Sequence, residues 1–173
     1  MWDIILVITT ALVVFGGLGF IAWQFDKEHK RKEELAKKNM SFLESLHLTG
    51  LPIITFHNNG KLVNMVLDTG SNVCIIDQNT LKGLDYEVSE SKNPGVIGVA
   101  GEHGEGDLVC LPLKYKEYEF DFECCVVDMK GTVQAMKKEY GVTIHGLLGT
   151  GFFTKYKYIL DFDSMVAYSL KKD

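Results

Sequence analysis

The apolar positions of this chain follow two different rules. From Ile4 to Trp23 they run without interruption, IILVITTALVVFGGLGFIAW, with no charged residue. That length matches the ~20 residues a helix needs to cross a bilayer. Trp2 and Trp23 bracket the run, as aromatic side chains do at the two interfaces. No basic stretch precedes it and no small-x-small cleavage site follows it, which separates it from a cleaved signal peptide. Residues 1–25 are therefore predicted to be a single transmembrane anchor. Lys27, Lys30, Arg31, Lys32, Lys37 and Lys38 follow the span, while only Met1, Trp2 and Asp3 precede it. The positive-inside rule then places the rest of the chain in the cytoplasm.

Residues 26–49 are rich in Lys and Glu and read as a charged helical linker. Phe42, Leu43 and Leu46 form a small apolar stripe near its end. The linker is either a solvated stalk or one whose basic residues touch anionic lipid.

From residue 50 to residue 173 the pattern changes to short β segments. Pro52–Phe56 and Leu62–Leu67 flank Asn58-Asn59-Gly60, a strong hairpin signal. Val73–Ile76 and Asp107–Leu113 read as further strands. Tyr118, Phe120, Phe122, Cys124 and Val126 alternate with Glu119, Asp121 and Glu123, which predicts a strand with one wet face. Thr132–Tyr140 looks helical, with Gly141 as its stop. Ile144–Leu148 has the composition of a buried strand, and Tyr158–Phe162 with Met165–Leu170 makes a terminal hairpin around Asp163-Ser164. The expected class is mostly β.

Charge and cysteine usage narrow the function. A mild net charge of -5 and a pI near 5.5 argue against a nucleic-acid footprint. Cys74, Cys110, Cys124 and Cys125 lack zinc-site spacing and read as reduced packing residues; in a strand, Cys124 and Cys125 would face opposite ways. No His or carboxylate cluster has metal spacing, so no metal or cofactor is expected. His57, His103 and His145 are scattered, and Asp161 and Asp163 read as turn formers.

One motif carries chemistry. Val66 and Leu67 deliver Asp68 to the end of a strand, and Thr69, Gly70 and Ser71 turn the chain. This Asp-Thr-Gly-Ser stretch resembles the active-site loop of aspartic proteases. Gly146-Leu147-Leu148-Gly149, beginning 78 residues after Asp68 (146 minus 68), is similar to the family's apolar-apolar-Gly element behind that loop. A short helix normally follows, here Thr150–Tyr156. Ile97, Gly98, Val99, Ala100 and Gly101 look like the glycine-rich flap over substrate; an ordinary hairpin tip is the other reading. Where many cellular relatives carry an acidic residue, this chain has Thr150.

The resemblance spans about residues 51–170 and is to the single-lobe, retropepsin-like type. It implies a mostly β acid-protease barrel with one short C-terminal helix, after an anchor helix and stalk. It assigns catalysis to Asp68, Thr69 and Gly70, and loop support to Ser71, Leu147, Leu148 and Gly149. With one Asp-Thr-Gly per chain, the second aspartate must come from another copy, which implies a homodimer and a protein or peptide substrate. The terminal strands of the two chains are then expected to interleave, with Met165–Leu170 as this chain's candidate. The implied function is a membrane-anchored aspartic endopeptidase. The alternatives are a protease-like dimeric binding module with little hydrolysis, and a structural domain on an anchor.

Overall fold

The computed structural model describes residues 2–91, 96–97, 103–104 and 107–169, with side chains described from Gly16 onward but not at 96–97 or 103–104. The chain divides into two compact units, Met1–Asn39 and Met40–Asp173. The first is one helix, α1 (Trp2–Lys38). Ion pairs one turn apart line its charged half, Asp26–Lys30 at 2.7 Å and Glu28–Lys32 at 3.5 Å. Exposed pairs of this kind stabilise a helix only slightly. Leu18, Phe20, Ile21, Trp23 and Phe25 are all exposed. Among the described residues, no helix is long and apolar enough to cross a membrane; the side chains of residues 4–15 of the expected span lie outside those described.

The second unit runs β1 (Met40–Ser41), α2 (Leu43–Thr49), β2 (Ile53–Asn58), β3 (Lys61–Leu67), β4 (Cys74–Asp77), α3 (Gln78–Leu81), β5 (Glu87–Val88), β6 (Val96–Ile97), β7 (His103–Gly104), β8 (Leu108–Tyr115), β9 (Tyr118–Val127), α4 (Lys130–Tyr140), β10 (Gly146–Leu148), α5 (Thr150–Tyr156), β11 (Tyr158–Asp161) and β12 (Val166–Ser169). It is mostly β, as expected. Rather than one short C-terminal helix, it carries four helices among the described residues.

The main sheet has the order β2-β3-β10-β4-β9-β8-β5, and His57 on β2 pairs with Lys114 on β8, which closes six of its strands into a barrel. The β2–β3 hairpin turns at Asn59 and Gly60, with φ of 47° and 77°. Two successive positive φ values make the twist-matched two-residue turn, and Asn-Gly is the dipeptide that tolerates them.

Residues of β9 alternate as their sequence does: Phe120, Phe122 and Cys124 are buried, while Glu119, Asp121 and Glu123 are exposed. The inner face of the barrel collects Phe56, Met65, Ile76, Leu111, Phe122 and Phe152. Each such side chain contributes roughly 1.5–3 kcal/mol by leaving water. The apolar runs of β2, β3 and β4 are continuous for a different reason. Ile53, Val66 and Ile75 face outward, where Met136 of α4 and Ile144 cover them. Where that cover lies the strands are buried on both faces, while Thr55 and His57 of β2 and Lys61 and Leu62 of β3 stay exposed. Gly141, in the left-handed conformation with its N–H on the Lys137 carbonyl, ends α4.

A three-stranded sheet has the order β1-β12-β11, and β6 pairs with β7 in a two-stranded one. Met40 pairs with Ala167 and Ser41 with Val166, and β11 occupies the other edge of β12 over its full length. The expectation that Met165–Leu170 interleaves with a second chain meets this directly. Part of that strand already has two neighbours within its own chain, and Leu170 lies outside the described residues.

Candidate active site

Asp68 is placed by the strand that precedes it and by one that arrives much later. The ladder between β3 and β10 is parallel, pairing Met65 with Gly146 and Leu67 with Leu148. The Asp68 N–H extends it, donating to the Leu148 carbonyl at 2.9 Å. On its other side β10 pairs with β4, Leu147 against Ile75. The three-residue strand thus locks the two arms of the 68–73 loop together.

The loop is tight. The Gly70 N–H donates to Asp68 Oδ1 at 2.8 Å, which orients the carboxylate. Thr150 N–H donates to the Ser71 carbonyl at 2.8 Å, tying the loop to the start of α5. Gly149 explains why no side chain is tolerated there: an added Cβ would lie 2.2 Å from the Val73 carbonyl oxygen and 2.8 Å from that of Ser71. Ser71 Oγ donates to the Val73 carbonyl at 2.8 Å. Ser71 thus supports the loop through its backbone, since Val73 still belongs to the loop and β4 begins only at Cys74.

Asp68 is half-buried, and Thr69 and Gly70 are exposed. Thr69 opens onto a groove of about 410 Å³ lined by Thr150, Phe153, Tyr158, Leu160 and Phe162. Of the residues singled out by the motifs, Asp68, Thr69, Gly70, Ser71, Leu147, Leu148 and Gly149 come together here. Ile97 lies in β6, paired with His103; Gly98, Val99, Ala100 and Gly101 lie outside the described residues.

Residues 54–152 match the aspartyl protease family model, 99 of the 173 residues in the chain. The chain belongs to the aspartyl protease family. No curated protein matches it. Among solved structures it is similar to the EIAV protease complexed with the inhibitor HBY-793, at a TM-score of 0.49 and 19% identity, over 66% of this chain and 96% of that one. It is also similar to the retroviral protease-like domain of Ddi1 from Leishmania major, at a TM-score of 0.48 and 13% identity, over 70% of this chain and 90% of that one.

Two supporting residues of this family member were not singled out from the sequence. Asp77, buried at the end of β4, accepts from the N–H groups of Asn79 and Thr80 through Oδ2 and from that of Met129 through Oδ1. It caps α3 and pins the approach to α4; its signal is an Asp three residues before a Thr, the spacing of a helix N-cap. His145 precedes Gly146. Its Nδ1 accepts the Asn64 N–H at 2.8 Å, and its own N–H donates to the Asn64 carbonyl. Burial pulls its pKa below the ordinary histidine value, against the opposing charge of Asp77. Asp161 accepts from the N–H groups of Asp163 and Ser164, the turn role expected of it. Among the described residues, no group of three or more His, Cys, Asp or Glu could hold a metal ion.

Proposed function

We propose that this chain is an aspartic endopeptidase of the retropepsin-like type, with Asp68 as its catalytic carboxylate and two copies sharing one active site. The observation that carries this reading is the placement of Asp68. It stands on an exposed turn, fixed through its backbone by Leu148 and through its carboxylate by Gly70, in a family member with a single Asp-Thr-Gly.

Two such carboxylates facing across a two-fold axis cannot both ionise easily, so they share one proton and titrate as a pair. The ionised member takes a proton from a water held between them as that water attacks the peptide carbonyl. The protonated member donates to the carbonyl oxygen. Thr69 and Gly70 complete the catalytic loop, with Ser71, Leu147, Leu148 and Gly149 supporting it. Substrate lies extended over the pair, hydrogen-bonded as an added strand beneath a flap formed by Ile97, Gly98, Val99, Ala100 and Gly101. We assign the groove beside Thr69, with Phe153 and half-exposed Phe162, to the second copy. The uncharged run Ile4–Trp23 serves as the anchor, with the basic flank holding the protease unit in the cytoplasm. Confinement to a surface raises the effective concentration of the two copies.

The decisive experiment is Asp68→Asn, which keeps the shape of the side chain and removes the proton chemistry. Cleavage of a peptide library by the full chain should disappear while the thermal transition stays in place. Turnover equal to that of the parent would remove Asp68 from the mechanism.

A further inference from the structure

The chain's four cysteines, Cys74, Cys110, Cys124 and Cys125, come from three neighbouring strands. In the parallel ladder between β4 and β9, Cys74 is the register partner of Cys124. Both belong to the inner apolar cluster. Cys110 stands across from Glu123, and Cys125 is paired with Ile75 on the opposite face of β9. Beside them lies a cavity of about 400 Å³ lined by Cys74, Cys110, Cys125, Phe152 and Lys155, among others. Nothing in the proposed hydrolysis uses these thiols.

We propose that Cys74 and Cys124 form a reversible redox pair, which a peroxide entering this cavity closes into a disulfide.

Geometry selects the pair. Register partners on adjacent strands stand about 4.8 Å apart, inside the roughly 4.4–6.8 Å between Cα atoms that a disulfide spans. Both side chains belong to the same buried cluster inside the barrel. The cavity has room for a small peroxide, since one water occupies only about 30 Å³ of liquid.

The chemistry divides the roles. Hydrogen bonding from Cys124, and from the backbone at Gly149 and Phe152, draws the Cys74 pKa down against its burial. Burial pushes Cys124 up. Cys74 lines the cavity and Cys124 does not, so Cys74 is the attacking thiolate. Its sulfur bonds to one peroxide oxygen as the O–O bond breaks, giving a sulfenic acid and releasing an alcohol, or water from hydrogen peroxide. The Cys124 sulfur then displaces the sulfenic oxygen, which leaves as water. Two thiols are oxidised by two electrons, the peroxide is reduced by two, and a thiol reductant reverses the bond.

The bridge acts on the loop because Cys74 follows Val73 directly. The Val73 carbonyl receives the Ser71 hydroxyl and forms the wall against which Gly149 fits. Shortening the sulfur–sulfur separation to a bond of about 2.0 Å pulls on Cys74 and so moves that wall. This consequence rests on the protease reading above; the bridge itself does not.

The test treats the reduced full chain with hydrogen peroxide and maps it by mass spectrometry without reduction. Peptides carrying Cys74 and Cys124 should be joined with the loss of two hydrogens, and dithiothreitol should separate them. The link should persist in Cys110→Ala and in Cys125→Ala, where Cys124 is the remaining thiol of its peptide, and vanish in Cys124→Ala. Over-oxidation of Cys74 without a cross-link, or a cross-link between other cysteines, overturns the proposal even if Cys124→Ala fails to fold. Peptide cleavage should fall about a hundredfold on bridging, the scale of roughly 1 Å of misplacement, and recover on reduction. Unchanged cleavage by the bridged protein refutes the coupling alone. A reduced protein that never cleaves refutes the protease reading before any peroxide is added.

Discussion

Gly149→Ala puts the architecture of the loop to a quantitative test. The added methyl would meet backbone atoms of the loop itself: Val73 O at 2.2 Å, Val73 C at 2.7 Å and Ser71 O at 2.8 Å. Real Cβ contacts essentially never fall below 3.0 Å, and none of these atoms belongs to a side chain that could swing away. Relief requires the end of β10 to retreat from the loop by about 1 Å, an overpacking strain of about 1–3 kcal/mol. That retreat also weakens the Thr150–Ser71 and Asp68–Leu148 bonds, each worth about 0.5–1.5 kcal/mol net. The expected loss is about 2–4 kcal/mol, read as a lower denaturant midpoint at unchanged slope. Cleavage should fall by about a hundredfold through misplacement of Asp68. Gly131→Ala supplies the contrast. That glycine sits in α4 with nothing within 4 Å of an added Cβ, and alanine there should stabilise by about 0.5–1 kcal/mol. A Gly149→Ala protein as stable as the Gly131→Ala protein would show that the close approach of Val73 and Gly149 does not organise the loop.

Three further outcomes test the proposed function and the site. If two copies share the site, specific activity should fall as the enzyme is diluted, and activity that stays flat while sedimentation shows dimers becoming monomers would sink the paired mechanism. His145 binds a proton less readily folded than unfolded, because burial lowers its pKa; its contribution is fully present above the unfolded value near about 6.5 and is lost as pH falls from there toward the depressed folded value. His145→Asn keeps an acceptor for the Asn64 N–H and should flatten that part of the stability profile, so an unchanged slope would clear His145 of the role. A reporter active only in the cytoplasm, fused after Asp173, should be active in membrane-bound protein; a silent one, beside an active N-terminal fusion, reverses the orientation.

The turns and strands around the candidate site were legible because they are local. The Asn59-Gly60 turn announces its own positive φ values, and the alternation from Tyr118 to Val126 carries its own facing. Asp68 and Gly149 stand in short motifs whose residue types are dictated by close backbone approach. What escaped was short or non-local. Gln78–Leu81 is a single turn of helix, too brief for any periodicity, and only the Asp77 cap betrays it. Met40 and Phe42 are fully buried, yet they follow a charged helix, and a two-residue strand has no pattern of its own. Their burial depends on Val166 and Ala167, more than 120 residues away (166 minus 41 is 125). The apolar run of β3 signals a buried strand, but not that one of its faces awaits α4.

The insertion of β10 between β3 and β4 has a consequence for the order of events during synthesis. A ribosome that has just made Asp68 must add 78 more residues before Gly146 exists, and Ala167 must appear before Met40 finds its partner. At about 5–20 residues per second, the 127 residues from Met40 to Ala167 (167 minus 40) take about 6–25 s to emerge. Until Leu148 has emerged the Asp68 loop lacks the ladder that shapes it, and pairings of such long range form slowly in any case. The nascent chain therefore carries Asp68 in an unformed loop until Gly146–Leu148 have emerged, and the shaping of that loop is timed by their arrival.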